Sequence, residues 1–194
     1  MHEYQRQRHK AAPSETARMS RGKKPIFVIQ KHDASSLHYD FRIEVDGALK
    51  SWAVPKGLST DPGDKRLAIR TDDHDLDYAD FEGVIPEGEY GAGTVLVWDS
   101  GTFENRTEDD GEAVNIGSAL DNGHAVICLR GKKLSGNYTL QRIRDKASEQ
   151  WLIIKVDDDD ADARRNPVST QPESVKTGRN IEEVAEDAAP EDDS

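Results

Sequence analysis

The stretch that decides the fold spans residues 32–45 and reads HDASSLHYDFRIEV. The apolar members of its alternating second half are Tyr39, Phe41, Ile43 and Val45. Successive side chains of a β-strand point to opposite faces, so a period of two predicts a half-buried strand whose aromatic face meets a core. The other face then carries His38, Asp40 and Arg42 in one row.

This polar row has the composition of a metal site. His32 precedes His38 by six residues, and the Asp-Ala-Ser-Ser turn between them is expected to fold it back toward His38. Two imidazoles and one carboxylate form a common ligand set for divalent transition ions, and three protein ligands leave open positions, as a catalytic site needs. The residue types do not select among Zn, Mn, Fe and Ni, although the carboxylate favours a harder ion. Arg42 beside this set suits a bidentate grip on phosphate. The alternative is a solvated strand face that holds no ligand.

Charge divides the chain into three parts. Residues 1–24 hold seven Lys or Arg against two Glu, and residues 157–194 hold 13 Asp or Glu against four Lys or Arg, so that most of the net charge of −12 lies in the tail. We expect a basic flexible arm (1–24), a folded β domain (25–156) and an acidic tail (157–194) that is disordered because it lacks apolar residues. A basic arm suits a nucleic-acid contact, and a merely solvated terminus is the alternative.

Several classes of protein are excluded by what the sequence lacks. No apolar run approaches the length of a membrane span, and no apolar leader follows the start, so we expect a cytoplasmic, nucleoid-associated protein without a membrane partner. The single cysteine, Cys128, excludes an internal disulfide.

Short apolar segments separated by turn signals run through the middle of the chain. Eight or nine such segments and no long helical pattern predict a mainly β protein, a compact barrel or sandwich of about eight strands with minor short helices. Asp46-Gly47 predicts a two-residue hairpin turn. The segment 72–81 is expected to be turn-rich, and 99–101 is expected to close a turn between two strands.

Other polar residues are candidates for phosphate chemistry. His74, in an acidic turn, suits a general acid or phosphate donor, and Tyr78 is a further donor. Lys56 and Arg66 are placed to neutralise phosphate charge, and Glu82 to orient a ligand histidine. The alternative for each is an ordinary exposed or packed side chain.

Five blocks of the sequence closely resemble the 3′-phosphoesterase domain of bacterial ATP-dependent DNA ligase D, the end-joining repair ligase. They appear in the order of that family, and the resemblance covers about residues 26–156. The blocks are residues 27–42, 49–57, 75–83, 85–88 and 90–93.

The resemblance implies a compact β-barrel with a manganese site on its outer face. It implies action at DNA 3′ ends of a primer–template: trimming of a terminal ribonucleoside to leave a 3′-phosphate, and removal of that phosphate to leave a 3′-hydroxyl. The residues that match the family's site are His32, His38 and Asp40 as metal ligands, Arg42 and His74 as the grip on the scissile phosphate, and Lys56, Arg66 and Tyr78 as supporting groups.

Two departures from the family pattern qualify this expectation. The family's arm pairs an Arg with an acidic residue and a later Glu, whereas the nearest match here is Arg8, His9 and Glu15. We therefore expect the phosphatase step more firmly than the ribonuclease step. No polymerase or ligase segment follows, so we expect a monomeric, free-standing phosphoesterase that meets a separate ligase, polymerase or Ku in trans. The alternatives are a non-catalytic module that binds DNA ends and a metallo-phosphoesterase for small molecules.

Overall fold

The computed structural model describes residues 24–189, which contain eleven β-strands and four short helices. The strands are β1 (Ile26–Asp33), β2 (Leu37–Val45), β3 (Ala48–Val54), β4 (Lys65–Asp75), β5 (Gly83–Ile85), β6 (Gly93–Asn105), β7 (Glu108–Asp109), β8 (Glu112–Ala113), β9 (His124–Gly131), β10 (Ser135–Arg144) and β11 (Gln150–Lys155). The helices are a 3-10 helix (Leu76–Asp80), α1 (Ile116–Asp121), α2 (Pro167–Thr170) and α3 (Ile181–Asp187).

Eight of the strands close into an antiparallel barrel. Their order is β1–β2–β3–β4–β11–β10–β9–β6, and β6 pairs back with β1. β5 pairs with the first residues of β6, and β7 and β8 form a separate small ribbon. The predicted fold class, a mainly β barrel of about eight strands with minor helices, is confirmed.

The predicted strand and its hairpin lie where the alternation places them. Val45 pairs with Ala48, and Asp46 and Gly47 both have positive φ angles, of 52° and 81°. Two positive φ angles are what a tight hairpin turn requires between right-twisted strands. Inside the barrel Phe41 stacks on Trp52, and both are fully buried. The opposite, polar face of β2 therefore lies on the outside of the barrel.

The expected turn at residues 99–101 is not formed, because β6 is one continuous strand through this region. Its register against β1 shifts between Ile29 and Gln30, so the strand bends without reversing. Asp99 is fully buried, and its carboxylate accepts hydrogen bonds from the backbone amides of Ser100 and of residues 132–134. Asp99, a residue type that is common in turns, instead receives hydrogen bonds from backbone amides of the neighbouring loop.

The expected turn-rich segment 72–81 divides into the end of β4 and the 3-10 helix. His74 pairs with Leu49 of β3, and the register shifts by one residue before Ser51 pairs with Thr71. An extra residue in one strand is a β-bulge, which redirects the side chains that follow it. His74 is therefore held by a strand and not by a turn.

The structure also extends the fold beyond the expected boundary at residue 156. α3 places Ile181 and Val184 three residues apart on one face, and both join the main core, with Val184 1% exposed. Asn180 caps this helix by accepting a hydrogen bond from the amide of Glu183. A few apolar residues at helical spacing suffice to dock an otherwise acidic segment, so the expected disorder does not hold for residues 157–189. The basic arm lies almost entirely outside the described residues. No helix between residues 24 and 189 is long and apolar enough to cross a membrane.

Replacing Ile181 with Ala should lower the free energy of unfolding by roughly 2–5 kcal/mol, because it removes most of a buried side chain from the core. Urea denaturation measures this loss. Ile143, which is 52% exposed, serves as the control, and Ile143→Ala should change stability by no more than about 0.5 kcal/mol. Equal effects of the two substitutions would mean that α3 is not docked in solution.

Candidate active site

His32 and His38 face each other across the β1–β2 pair. They are direct cross-strand partners, and their ring centroids lie 4.8 Å apart. Asp40 follows on the same face of β2. Its Oδ2 lies 3.2 Å from His32 Nδ1 and its Oδ1 lies 3.2 Å from His38 Nε2. One ligand atom from each residue falls within 4.8 Å of the others. The fold thus brings the three predicted ligands together.

The ring nitrogens of the two histidines fit a metal ion. His38 Nδ1 lies 3.1 Å from the Ser36 carbonyl oxygen, so its hydrogen donates there and Nε2 faces Asp40. His32 Nε2 is buried and has no hydrogen-bond partner. A Cβ on Gly91 would lie 3.8 Å from His32 Cε1, so the loop after β5 lies against this imidazole. A buried nitrogen lone pair without a donor costs free energy unless a cation or proton satisfies it.

The charges in the cluster stabilise an ionised carboxylate. Burial by itself would raise the pKa of Asp40, but Arg42, His32 and His38 hold it far below its ordinary range. Burial would lower the pKa of His38, but the hydrogen bond and the charge of Asp40 raise it. Asp40 is therefore an anion at neutral pH, while a proton on His38 competes with any metal.

We expect the affinity for a divalent transition ion to fall as the pH is lowered, and to begin falling above pH 6.5, the ordinary pKa of histidine. Because its pKa is raised, His38 binds a proton at a higher pH than a free imidazole does, and a ligand must lose its proton before it binds metal. The dissociation constant should rise by up to about tenfold per pH unit for one displaced proton. Calorimetric titrations between about pH 8 and about pH 6 measure it. A dissociation constant that does not change over this range would contradict the assignment of His38 as a ligand.

Arg42 extends the cluster along β2. It is 3% exposed, and its guanidinium is held on three sides. Nε donates to Gln30 Oε1 at 2.8 Å, Nη2 lies 3.4 Å from Asp40 Oδ2, and Nη1 lies 3.1 Å from His74 Nδ1. A fixed guanidinium beside a metal-ligand set is suited to recognise a phosphate by paired N–H groups.

His74 and Tyr78 join Arg42 from the end of β4 and the 3-10 helix. His74 Nδ1 lies 2.9 Å from the carbonyl oxygen of Asp72, which only accepts, and 3.1 Å from Arg42 Nη1, which only donates. The tautomer of His74 decides which of these two hydrogen bonds forms. The Tyr78 ring lies 4.7 Å from the His74 ring and 4.9 Å from Arg42 Cζ. The β-bulge in β4 brings this pair to the ligand set, which strand alternation alone does not predict.

Gln30 is a site residue that the sequence reasoning missed. It is fully buried on β1, and its Nε2 donates to the carbonyl oxygens of Tyr78 at 2.8 Å and Phe81 at 3.2 Å. Its amide therefore connects the 3-10 helix to Arg42. The signal was present, because Gln30 lies two residues before His32 and must share its face of the strand.

Three of the predicted residues, Lys56, Arg66 and Glu82, have surroundings other than those expected. Lys56 is exposed in the turn after β3. Asp40 pairs with Ala53, and Ala53 pairs with Ile69, so these three side chains point to the same face of the sheet. Arg66 lies three residues before Ile69 and therefore points to the opposite face. Its guanidinium lies 3.5 Å from Asp64.

Glu82 was expected to orient a ligand histidine, but its carboxylate is used elsewhere. It accepts hydrogen bonds from the backbone of Val97 and from side chains of the C-terminal segment. The predicted arm residues Arg8 and Glu15 lie outside the described residues.

Comparisons with known proteins identify the family of the chain. A model of the family described as the DNA ligase D 3′-phosphoesterase domain matches residues 30–142. The chain is 49% identical over 159 residues to the multifunctional non-homologous end joining protein LigD of Pseudomonas aeruginosa, a match that covers 80% of this chain and 18% of that protein. It is 44% identical over 144 residues to the multifunctional non-homologous end joining DNA repair protein LigD of Mycobacterium tuberculosis, with 74% of this chain and 18% of that protein covered.

The chain thus spans less than a fifth of the length of these curated relatives. The family model covers more than half of the chain, and it includes all three metal-ligand candidates, Arg42 and His74. The chain belongs to the family of DNA ligase D 3′-phosphoesterase domains.

Proposed function

We propose that this protein is a metal-dependent phosphoesterase that heals DNA 3′ ends. It removes a 3′-phosphate, and also a 3′-terminal ribonucleoside, to leave a 3′-hydroxyl for end-joining repair. The observation that carries this proposal is the meeting of two kinds of group on one outer face of the barrel. His32, His38 and Asp40 bring their ligand atoms within 4.8 Å of one another, and Arg42 and His74 adjoin them.

The protein's own residues act on the phosphate in this proposal. Arg42 and His74 lie side by side next to the metal-ligand candidates, where they bind the scissile phosphate and stabilise the negative charge that grows in the transition state. Because Gln30 and Tyr78 hold the guanidinium in place, little reorganisation is needed when the substrate binds. Asp40 is ionised at neutral pH and holds the two imidazoles in register.

We propose Mn²⁺ as the native ion, held by His32, His38 and Asp40, although other divalent transition ions suit the same ligands. Such an ion supplies Lewis-acid polarisation of a phosphate oxygen and lowers the pKa of water. Lys56, exposed near the start of β2, is proposed to contact the DNA backbone beyond the scissile group. The proposed substrate is a DNA 3′ end of a primer–template. A DNA ligase or polymerase, or Ku, is the proposed partner, in keeping with the end-joining names of the relatives.

A 5′-labelled primer–template tests the proposal directly. One substrate ends in a 3′-phosphate and a second in a single 3′-ribonucleotide, each with Mn²⁺ or with EDTA. Conversion of the ribonucleotide end to a 3′-phosphate and then to a 3′-hydroxyl would support both activities. Clearance of the 3′-phosphate alone would limit the function to a phosphatase. No reaction at either end, with DNA still bound, would overturn the proposal in favour of a DNA-end-binding module.

A matched pair of variants links the activity to the site. His38→Ala removes a proposed ligand, whereas His124→Ala removes an exposed histidine of β9 that bonds Gln141. We expect only His38→Ala to abolish the reaction while leaving DNA binding intact. A higher rate on p-nitrophenyl phosphate than on the DNA 3′-phosphate would instead indicate a phosphoesterase for small molecules.

A further inference from the structure

We propose that the C-terminal segment of this chain positions Arg42, acting through a buried carboxylate. The group that makes the connection is Glu82, which with Ser174, Thr177 and Arg179 forms what we call the Glu82 clamp. The inference rests on the proposed function, since it assigns Arg42 to the grip on phosphate. Three of the four residues of the clamp, Ser174, Thr177 and Arg179, lie beyond the region matched by the family model.

The Glu82 clamp is a fully paired carboxylate. The Glu82 side chain is 1% exposed. Its Oε1 accepts from the Val97 amide at 2.9 Å and from the Ser174 hydroxyl, and its Oε2 accepts from the Thr177 hydroxyl and from Arg179 Nη2 at 3.1 Å. Four donors from two distant parts of the chain thus converge on one buried charge. Loss of one donor would leave an oxygen of the buried carboxylate unpaired, which costs free energy. The clamp therefore holds its partners in one geometry.

The clamp lies directly after the segment that holds Arg42. Phe81 precedes Glu82, and the carbonyl oxygens of Tyr78 and Phe81 both accept from Gln30 Nε2. Gln30 Oε1 in turn accepts from Arg42 Nε at 2.8 Å. A shift of the backbone at residues 81–82 therefore moves one of the two acceptors that orient the Gln30 amide, and through it the guanidinium of Arg42.

Lys176 and Val175 attach the C-terminal segment to the 3-10 helix and to β6. Lys176 Nζ donates to the carbonyl oxygen of Asp80, at the end of the 3-10 helix. Val175 donates its amide to the Val97 carbonyl at 2.9 Å, and its side chain packs on the apolar cluster that includes Leu76 and Tyr78. The segment thus covers the 3-10 helix by the packing of Val175 and the hydrogen bond of Lys176, and it is fixed to β6 at Val97. Tyr78, whose ring lies against Arg42 and His74, belongs to the covered helix.

The test breaks the clamp at its more exposed members. Thr177→Val with Arg179→Gln removes both donors to Glu82 Oε2 and changes little of the core, since the Arg179 side chain is 29% exposed. Arg164→Gln is the matched control, because it removes a charge from the same segment on a side chain that is 94% exposed. Glu82→Gln is a second, isosteric variant that weakens the clamp by removing the charge of the carboxylate itself. Arg179→Lys, which keeps the charge, should behave closer to the parent protein.

Three quantities are measured on each folded variant: kcat/KM for a DNA 3′-phosphate, the Kd of Mn²⁺, and the Kd of inorganic phosphate on the manganese-loaded protein. We expect the double variant to lower kcat/KM and to weaken phosphate binding by about tenfold each, the scale of coupling through a packed network. Mn²⁺ binding should stay within about twofold, because the clamp contacts no ligand. The Arg164→Gln control should match the parent protein in all three.

Wild-type phosphate affinity and kcat/KM in the double variant would overturn the inference. So would an equal loss of Mn²⁺ affinity, which would indicate a general loosening of the site, or lost activity with unchanged phosphate affinity, since Arg42 would then not be the group displaced. The phosphate titration does not depend on turnover. If the parent protein fails to act on DNA 3′ ends, the proposed function fails, while the link between the clamp and the phosphate grip is still measured.

Discussion

Replacing Asp40 with Asn is expected to lower kcat/KM for a DNA 3′-phosphate by about a thousandfold or more, equivalent to about 4 kcal/mol. Asp40 is the one carboxylate of the ligand set, and its two oxygens contact His32, His38 and Arg42. An amide supplies one oxygen without charge, so it binds a divalent cation weakly and leaves the buried Arg42 without its counter-charge.

Three measurements separate this loss from trivial causes. Circular dichroism checks that the variant is folded, and Mn²⁺ affinity should fall with activity while DNA binding persists. Asp157→Asn, at an exposed carboxylate after β11, is the matched control and should be fully active. Activity of Asp40→Asn within tenfold of the parent protein would disprove the proposed metal site.

Replacing Arg42 with Lys should lower kcat/KM by about a hundredfold to a thousandfold, the usual cost of losing one preorganised donor to a developing oxyanion. Lysine keeps the positive charge but lacks the planar fork that contacts Gln30, Asp40 and His74 at once. The charge therefore remains near the site while its direction is lost.

The pattern across assays identifies the role of Arg42. Inorganic phosphate should bind more weakly to Arg42→Lys, whereas Mn²⁺ affinity should change by only a few-fold, because Arg42 is not a ligand. Arg130→Lys, at a side chain that is 54% exposed on β9, should have no effect. Full activity of Arg42→Lys would mean that charge alone suffices at this position and that the guanidinium contacts are not used.

The cluster of metal-ligand candidates was predictable because its geometry is local. His38, Asp40 and Arg42 share a face through the period of a single strand, and a four-residue turn returns His32 to lie opposite His38. The same strand period places Gln30, two residues before His32, on this face as well. His74 was predicted in a turn, but the bulge that places it beside Arg42 depends on how β4 pairs with β3.

The positions of Arg66 and Glu82 show where local patterns end. Strand alternation put Arg66 on one face of β4, but it did not tell which face is turned toward the site. That follows only from the pairing of Ile69 with Ala53. Glu82 was expected to orient a ligand histidine, yet its side-chain partners are 92, 95 and 97 residues away in the C-terminal segment. No period or spacing within a short segment reports such contacts.

The sequence by itself determined the class of fold, the hairpin at Asp46-Gly47 and the row of metal-ligand candidates, because each follows from side-chain alternation and turn chemistry within a few residues. Only the tertiary structure decided that β6 continues through Asp99 and that α3 docks on the core. It also decided that the acidic C-terminal segment closes on Glu82. These features depend on donors and apolar surfaces that meet only after the barrel has closed, so the free energy that favours them does not exist in any single segment of the chain.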